Sequence, residues 1–139
     1  QPDWVVCAGY MRILGEPLVR RFAGRMLNIH PSLLPKYRGL HTHARALEAG
    51  DAEHGASVHL VVPELDAGTV IAQARVSVLP DDSAEQLAAR VLAREHPLLL
   101  ATLKLLADGR VAVHGETVHI DGQCLFTPLR LESDDIALA

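Results

Sequence analysis

Two side chains two positions apart, Asn28 and His30, stand at the end of a short apolar run, Met26 to Ile29, which Pro31 cuts off. Read as a strand that stays extended through residue 30, the run puts both on one face, because side chains alternate along extended chain. Asparagine can donate a hydrogen bond, and imidazole can both donate and carry a proton. Asp66, in a turn-rich connection two residues before Gly68, is a candidate partner. A carboxylate beside an imidazole favours the protonated ring and fixes its orientation, which suits stabilising developing negative charge and relaying protons. Taken singly, each residue also has an ordinary reading, as a satisfied histidine, a turn asparagine and a turn-capping aspartate. The sequence does not show that the three meet.

Other chemistries fit less well. His41-Thr42-His43 with His30 can be drawn as a three-histidine zinc site. The i, i+2 pair shares a face only if extended, however, and no Cys or Glu-x-x-His pattern supports it, so no metal is assigned. His54, His59, His114 and His119 are scattered over strands and turns and are expected on solvated faces. Cys7 lies inside a predicted strand, and Ser32 and Ser57 have no nucleophile-elbow context. Chemistry without a covalent nucleophile is favoured.

The elements that would position these groups read as strand and helix in alternation. Trp4 to Ala8 is a buried strand closed by Gly9; a loop over Gly9 to Gly15 and a short helix over Glu16 to Phe22 follow, the helix marked by Pro17 and Gly24. After the strand at Met26 to Ile29, the Pro- and Gly-containing segment Pro31 to Gly39 must be loop, and Thr42 to Ala49 is a second short helix ending at Gly50. Gly55 to Val62 and Val70 to Val78 read as strands. Ser83 with Gln86 forms a capping box opening a long helix with apolar positions Leu87, Val91 and Leu92. Pro97 is expected to kink or split that helix, which continues from Leu98 to Ala107. Val111 to Val113 and Val118 to Ile120 read as a terminal hairpin, and the acidic end from Glu132 to Asp135 as a frayed tail. The fold class is α/β.

Composition narrows the function. A chain of 139 residues makes one domain, which buries about two-thirds of its unfolded surface. Thirteen basic against 17 acidic residues, with no basic block, argues against nucleic acid. The longest apolar stretch, Leu98 to Leu103, falls far short of the roughly 20 residues that span a bilayer. Two distant cysteines make no disulfide framework and fit a soluble protein of the reducing cytoplasm. Dimerisation is left open, a homodimer being one arrangement.

The stretch from Asn28 to His43, Asn-Ile-His-Pro-Ser-Leu-Leu-Pro-Lys-Tyr-Arg-Gly-Leu-His-Thr-His, closely resembles the phosphoribosylglycinamide formyltransferases, folate-dependent enzymes of purine biosynthesis. Its Asn-x-His-x-Ser-Leu-Leu-Pro core is shared with the wider formyltransferase family, and the Gly-Leu-His-Thr-His continuation is more particular to that branch. Ala8 to Leu14, His54 to His59, Glu64 to Gly68 and Glu95-His96 also match, in family order. The likeness loses specificity after Gly109. Arg38 stands where several members have Pro, Ala67 where Gly is common, and Leu92 where some are polar.

The resemblance implies a Rossmann-like formyltransferase fold: a mostly parallel central sheet flanked by helices, with a long kinked C-terminal helix. It implies that Asn28, His30 and Asp66 are catalytic, and that a formyl group passes from 10-formyltetrahydrofolate, the co-substrate, to the amine of glycinamide ribonucleotide without a metal. Met11, Arg12, Ile13 and Leu14, with Asn28 and the Asp66 loop, would hold the folate, and Glu95 would contact the amine substrate. A related formyltransferase, a formyltetrahydrofolate deformylase and a non-catalytic folate-binding module are the alternatives. Family members begin with a strand and a Gly-Ser-Asn loop at a helix N-terminus that holds phosphate, and this sequence shows no such loop. Residues 1–139 are therefore expected to be the folate-binding and catalytic part of a single domain. The phosphate-binding N-terminal half would be absent, and the lack of Met at residue 1 fits a truncation.

Overall fold

The computed structural model describes residues 4–8, 21, 24–62, 64, 66–114 and 117–131. The expected loop at 9–15, nearly all of the helix at 16–22 and the acidic end at 132–135 lie outside the described residues. The described elements are β1 (Val5–Ala8), β2 (Met26–His30), α1 (Thr42–Glu48), β3 (Glu53–Leu60), β4 (Val70–Ser77), α2 (Ala84–Ala107), β5 (Val111–His114), β6 (Thr117–Ile120), β7 (Gln123–Cys124) and β8 (Leu129–Arg130). Each expected strand and helix in this part of the chain is present, with ends shifted by one or two residues. The terminal hairpin carries β7 as a third strand.

The main sheet has the order β1-β2-β3-β4-β8. It is mixed rather than mostly parallel: β1 and β2 pair parallel, as do β4 and β8, whereas β2–β3 and β3–β4 are antiparallel. The short link between β3 and β4 contributes to this, since a parallel crossover needs a dozen or more residues.

Antiparallel pairing sorts the sheet into two chemically different faces. His30 lies opposite Ser57 and Ser57 opposite Gln73, while Asn28 lies opposite His59. Paired residues project to the same side, so one face carries a row of polar groups. The other face carries Leu27, Ile29, Ala56, Val58, Leu60, Ala72 and Ala74, all buried. Helix α2 packs across β3 and β4 and against α1, burying Leu87, Val91, Leu98, Ala101 and Leu105. Each fully buried aliphatic side chain there contributes about 1.5–3 kcal/mol.

The helix begins at the expected capping box: Ser83 Oγ accepts from the Gln86 amide at 3.1 Å, and Gln86 Oε1 from the Ser83 amide at 2.9 Å. It runs unsplit through Pro97. The proline costs the bond its missing N–H would give Ala93, while buried side chains on both sides keep the two segments seated on the sheet. Leu92 turns outward and is 55% exposed.

Two histidines expected on solvated faces are buried. His54 and His59 are 1% and 2% exposed, because β3 is a central strand covered on both faces. His114 is exposed, as expected, and His119 half-buried. His54 Nε2 lies 3.1 Å from His43 Nδ1 on α1, so one proton bridges two neutral rings. Burial, reinforced by His43, pulls His54 down to about 4, with Asp51 opposing. Burial also lowers His43.

Two predictions follow from this packing. A Cβ on Gly55 would sit 1.9 Å from the Ala74 carbonyl, whereas one on Gly50, at φ +71°, meets nothing within 4 Å. Gly55→Ala should therefore lower unfolding free energy by about 2 kcal/mol or more and Gly50→Ala by about 1 kcal/mol, read as urea midpoints. Equal losses would contradict the close β3–β4 approach. In the second, the unfolded chain binds a proton at residue 54 near pH 6.5 that the folded chain refuses until about 4. Stability should fall by ~3 kcal/mol as pH drops through that window and level off below it. His54→Leu should flatten the slope, and an unchanged slope would assign the acid sensitivity elsewhere.

Candidate active site

The structure brings Asn28, His30 and Asp66 to the polar face of the sheet. Asp66 has φ 51°, in the left-handed region, whereas Ala67, which stands where Gly is common, does not adopt that geometry. Gly68 presses against β3 so closely that a Cβ would lie 1.8 Å from the Leu60 carbonyl. This approach turns the Asp66 carboxylate inward. Its side chain is only 6% exposed.

A carboxylate this buried must be paired or hydrogen-bonded. Asp66 Oδ2 accepts from the Gly39 amide at 2.8 Å and lies 3.4 Å from His30 Nδ1. Oδ1 lies 3.6 Å from His59 Nε2. The other nitrogen of His30, Nε2, lies 2.8 Å from the Tyr37 carbonyl oxygen, which can only accept. Both ring nitrogens of His30 thus face acceptors. A doubly protonated ring satisfies both contacts and a neutral one only one.

His59 is the counterpart. Its Nδ1 donates to the Leu60 carbonyl at 3.0 Å, and Nε2 is buried without a hydrogen-bond partner. Burial lowers its pKa, with the Leu60 carbonyl and Asp66 opposing and His30 adding to the fall. The carboxylate therefore lies between two imidazoles, of which burial turns His59 toward neutrality. Asn28 Oδ1 is likewise buried and unpartnered. Unpaired buried polar atoms are uncommon, and these two belong to residues that lie opposite each other on β2 and β3.

Tyr37 is itself held. Its backbone has φ 55°, its hydroxyl donates to Asp51 Oδ2, and the Arg45 guanidinium stacks 5.2 Å above its ring. The Asp51 carboxylate raises the tyrosine pKa and is itself lowered by the bond. Arg38 reaches Glu64 at 2.9 Å, joining the loop after β2 to the loop that carries Asp66.

Not every expected residue joins this centre. Met11, Arg12, Ile13 and Leu14 lie outside the described residues. Glu95 sits half-buried on α2, where burial raises its carboxyl above the usual range and His96 opposes. It makes none of the contacts that hold the His30–Asp66 pair. His43 turns to His54, and among the described residues no group of three or more His, Cys, Asp or Glu could hold a metal ion. Sequence reasoning missed His59, Tyr37 and Asp51. His59 alternates with Ser57 among the apolar residues Ala56, Val58 and Leu60, and that spacing could have flagged it.

Residues 1–103 match the formyl transferase family. The chain is 55% identical over 124 residues to the phosphoribosylglycinamide formyltransferase of Escherichia coli strain K12, covering 89% of this chain and 58% of that protein. A solved structure of the phosphoribosylglycinamide formyltransferase from Coxiella burnetii, in complex with CHES, superposes with TM-score 0.84 at 52% identity, over 89% of this chain and 58% of that one. A formyltetrahydrofolate deformylase from Pseudomonas syringae pv. tomato superposes with TM-score 0.79 at 36% identity, over 85% of this chain and 40% of that one. This chain thus spans little more than half the length of these formyltransferases. By the family match over residues 1–103 and by its likeness to these relatives in sequence and fold, the chain belongs to the formyl transferase family.

Proposed function

We propose that this chain supplies the folate side and the proton-handling centre for formyl transfer from 10-formyltetrahydrofolate to the primary amine of 5'-phosphoribosylglycinamide, a step of purine (IMP) biosynthesis. The observation that carries this reading is the buried His30–Asp66 pair, 3.4 Å apart, beside Asn28 on the same strand face. In the reaction the substrate amine attacks the formyl carbon, and the C–N bond forms as the carbonyl electrons move to oxygen. The Asn28 amide N–H is assigned as a donor to that oxyanion, and the His30 imidazolium, whose two N–H groups face Asp66 and the Tyr37 carbonyl, as the positive charge that balances it. Collapse breaks the bond to N10 of the folate. The attacking nitrogen sheds a proton and N10 gains one, a transfer His30 can mediate while Asp66 holds its ring. Met11 to Leu14 and the Asp66 loop are assigned to the folate, and Glu95 to the amine substrate. The substrate phosphate is left to the additional length that the formyltransferase relatives carry.

Formylfolate hydrolysis is the second reading, with water in place of the amine. The identities of 55% and 52% to phosphoribosylglycinamide formyltransferases, against 36% to the deformylase, favour the amine. Measuring formylated glycinamide ribonucleotide against free formate separates them, and dominant formate release would overturn the first. A folate-binding module without activity would bind a folate analogue in calorimetry and turn nothing over.

In the full-length protein His30→Ala should lower kcat about 100-fold or more and Asp66→Asn about 10- to 100-fold, with affinity for a folate analogue changed only a few-fold. Near-normal turnover in either variant would remove that residue from the mechanism.

A further inference from the structure

One buried polar side chain on this face has no role in the chemistry above and makes two hydrogen bonds to the machinery behind it. Gln73, on β4, is 5% exposed. It ends the row His30, Ser57, Gln73 that crosses three adjacent strands. Its Nε2 donates to the Leu34 carbonyl at 2.9 Å and to Ser57 Oγ at 3.0 Å. The carbonyl can only accept, which fixes the orientation of the amide and uses both of its N–H groups.

Ser57 Oγ is in turn fully used. It accepts from Gln73 and from the Leu34 amide at 3.1 Å, and it donates to the Ser32 carbonyl at 2.7 Å. Two sheet side chains therefore hold three backbone groups of the segment that follows His30 directly. From there the segment is braced forward: Ser32 Oγ donates to the Lys36 carbonyl at 2.6 Å, and the Lys36 amide to the Leu33 carbonyl at 3.0 Å. The next residue is Tyr37, whose carbonyl accepts from His30 Nε2. The path leaves the sheet at Gln73 and returns to it at the imidazole.

We propose that Gln73 is a positioning residue for His30, acting through Ser57 and the 32–36 backbone to place the Tyr37 carbonyl that orients the ring. The inference rests on His30 handling the proton in formyl transfer. Gln73 bonds to Leu34 and Ser57 rather than to His30 or Asp66, so its loss should leave folate binding intact. What it changes is the acceptor at Nε2. With that carbonyl displaced, the imidazolium loses a partner that favours its charged form, and the limb of the pH–rate profile set by residue 30 moves to lower pH. The other titratable groups around His30 are Asp66 from its loop, His59 and His54 from β3 and His43 from α1. None of them bonds to Gln73, and they remain in place as the background to that shift.

The test uses Gln73→Met, which keeps the shape and removes the donors, in the full-length protein beside His30→Ala. The expected result is a kcat at least tenfold lower, affinity for a folate analogue within about threefold, and the pH limb displaced downward. Gln73→Glu, isosteric but without donors at neutral pH, should not rescue turnover. A Gln73→Met enzyme with kcat within twofold and an unmoved pH limb overturns the proposal. If Gln73→Met fails to fold, Ser57→Ala cuts the same path at its relay and should show the same split; an unmoved limb there also overturns it. If His30→Ala retains turnover, the mechanistic reading fails. If His30→Ala is impaired while Gln73→Met is not, only the positioning role does.

Discussion

A carboxylate sits nearly out of reach of water at Asp66, and the rest of the site is arranged around satisfying it. An uncompensated buried charge costs several kcal/mol. Its partners come from separate parts of the chain: the Gly39 amide in the loop after β2, His30 at the end of β2 and His59 on β3. Its own position depends on Gly68 lying against the Leu60 carbonyl. The charge is therefore satisfied only when the β2–β3 register, the loop after His30 and the turn before β4 are all formed. A misformed version of any one leaves the carboxylate buried with fewer partners, so the same group penalises alternative arrangements of its surroundings.

Register carries equal weight because the two faces of the sheet are so unlike. The pairs Asn28–His59 and His30–Ser57 put the polar groups on one side, while Leu27, Ile29 and Val58 go to the other. A slip of one residue would exchange the faces. Asn28 and His30 would then meet the aliphatic surface of α2, and Leu27 and Ile29 would meet Asp66. The aliphatic core beneath α2 and the polar network above it reject such a slip for opposite reasons, one by desolvating polar groups and the other by leaving a charge unpaired.

This division explains which features were legible in the sequence. Local signals read correctly: the Ser83–Gln86 capping box, the strand ended by Pro31, and the two-residue spacing of Asn28 and His30 all act within a few residues of themselves. Asp66 was legible as a carboxylate in a turn, but its meeting with His30 depends on the packing of Gly68 against β3. The burial of His54 and His59 was illegible because nothing in β3 alone says that it lies in the middle of a sheet with cover on both faces. Gln73 was silent for the same reason: its partners lie 16 and 39 residues away. The outward turn of Leu92 shows the converse, an apolar residue at a helical spacing that the finished packing did not use.

Four histidines pose an electrostatic problem that the fold resolves by placement: His30 and His59 share Asp66, while His54 pairs with His43 and feels Asp51. Each added positive charge in a poorly hydrated region raises the cost of the next. His43, His54 and His59 are each pushed toward neutrality by burial first, with His30 adding to the push on all three. His43 and His54 settle their polarity against each other, and His59 donates to the Leu60 carbonyl. His30 faces the Tyr37 carbonyl at 2.8 Å and Asp66 at 3.4 Å, the latter a shorter approach to the carboxylate than the 3.6 Å of His59. With burial turning the other three toward neutrality, His30 is left as the ring set between the Asp66 carboxylate and the Tyr37 carbonyl, on the strand face that carries Asn28. The proposed transfer of one proton between two nitrogens calls for that placement more than for additional charge.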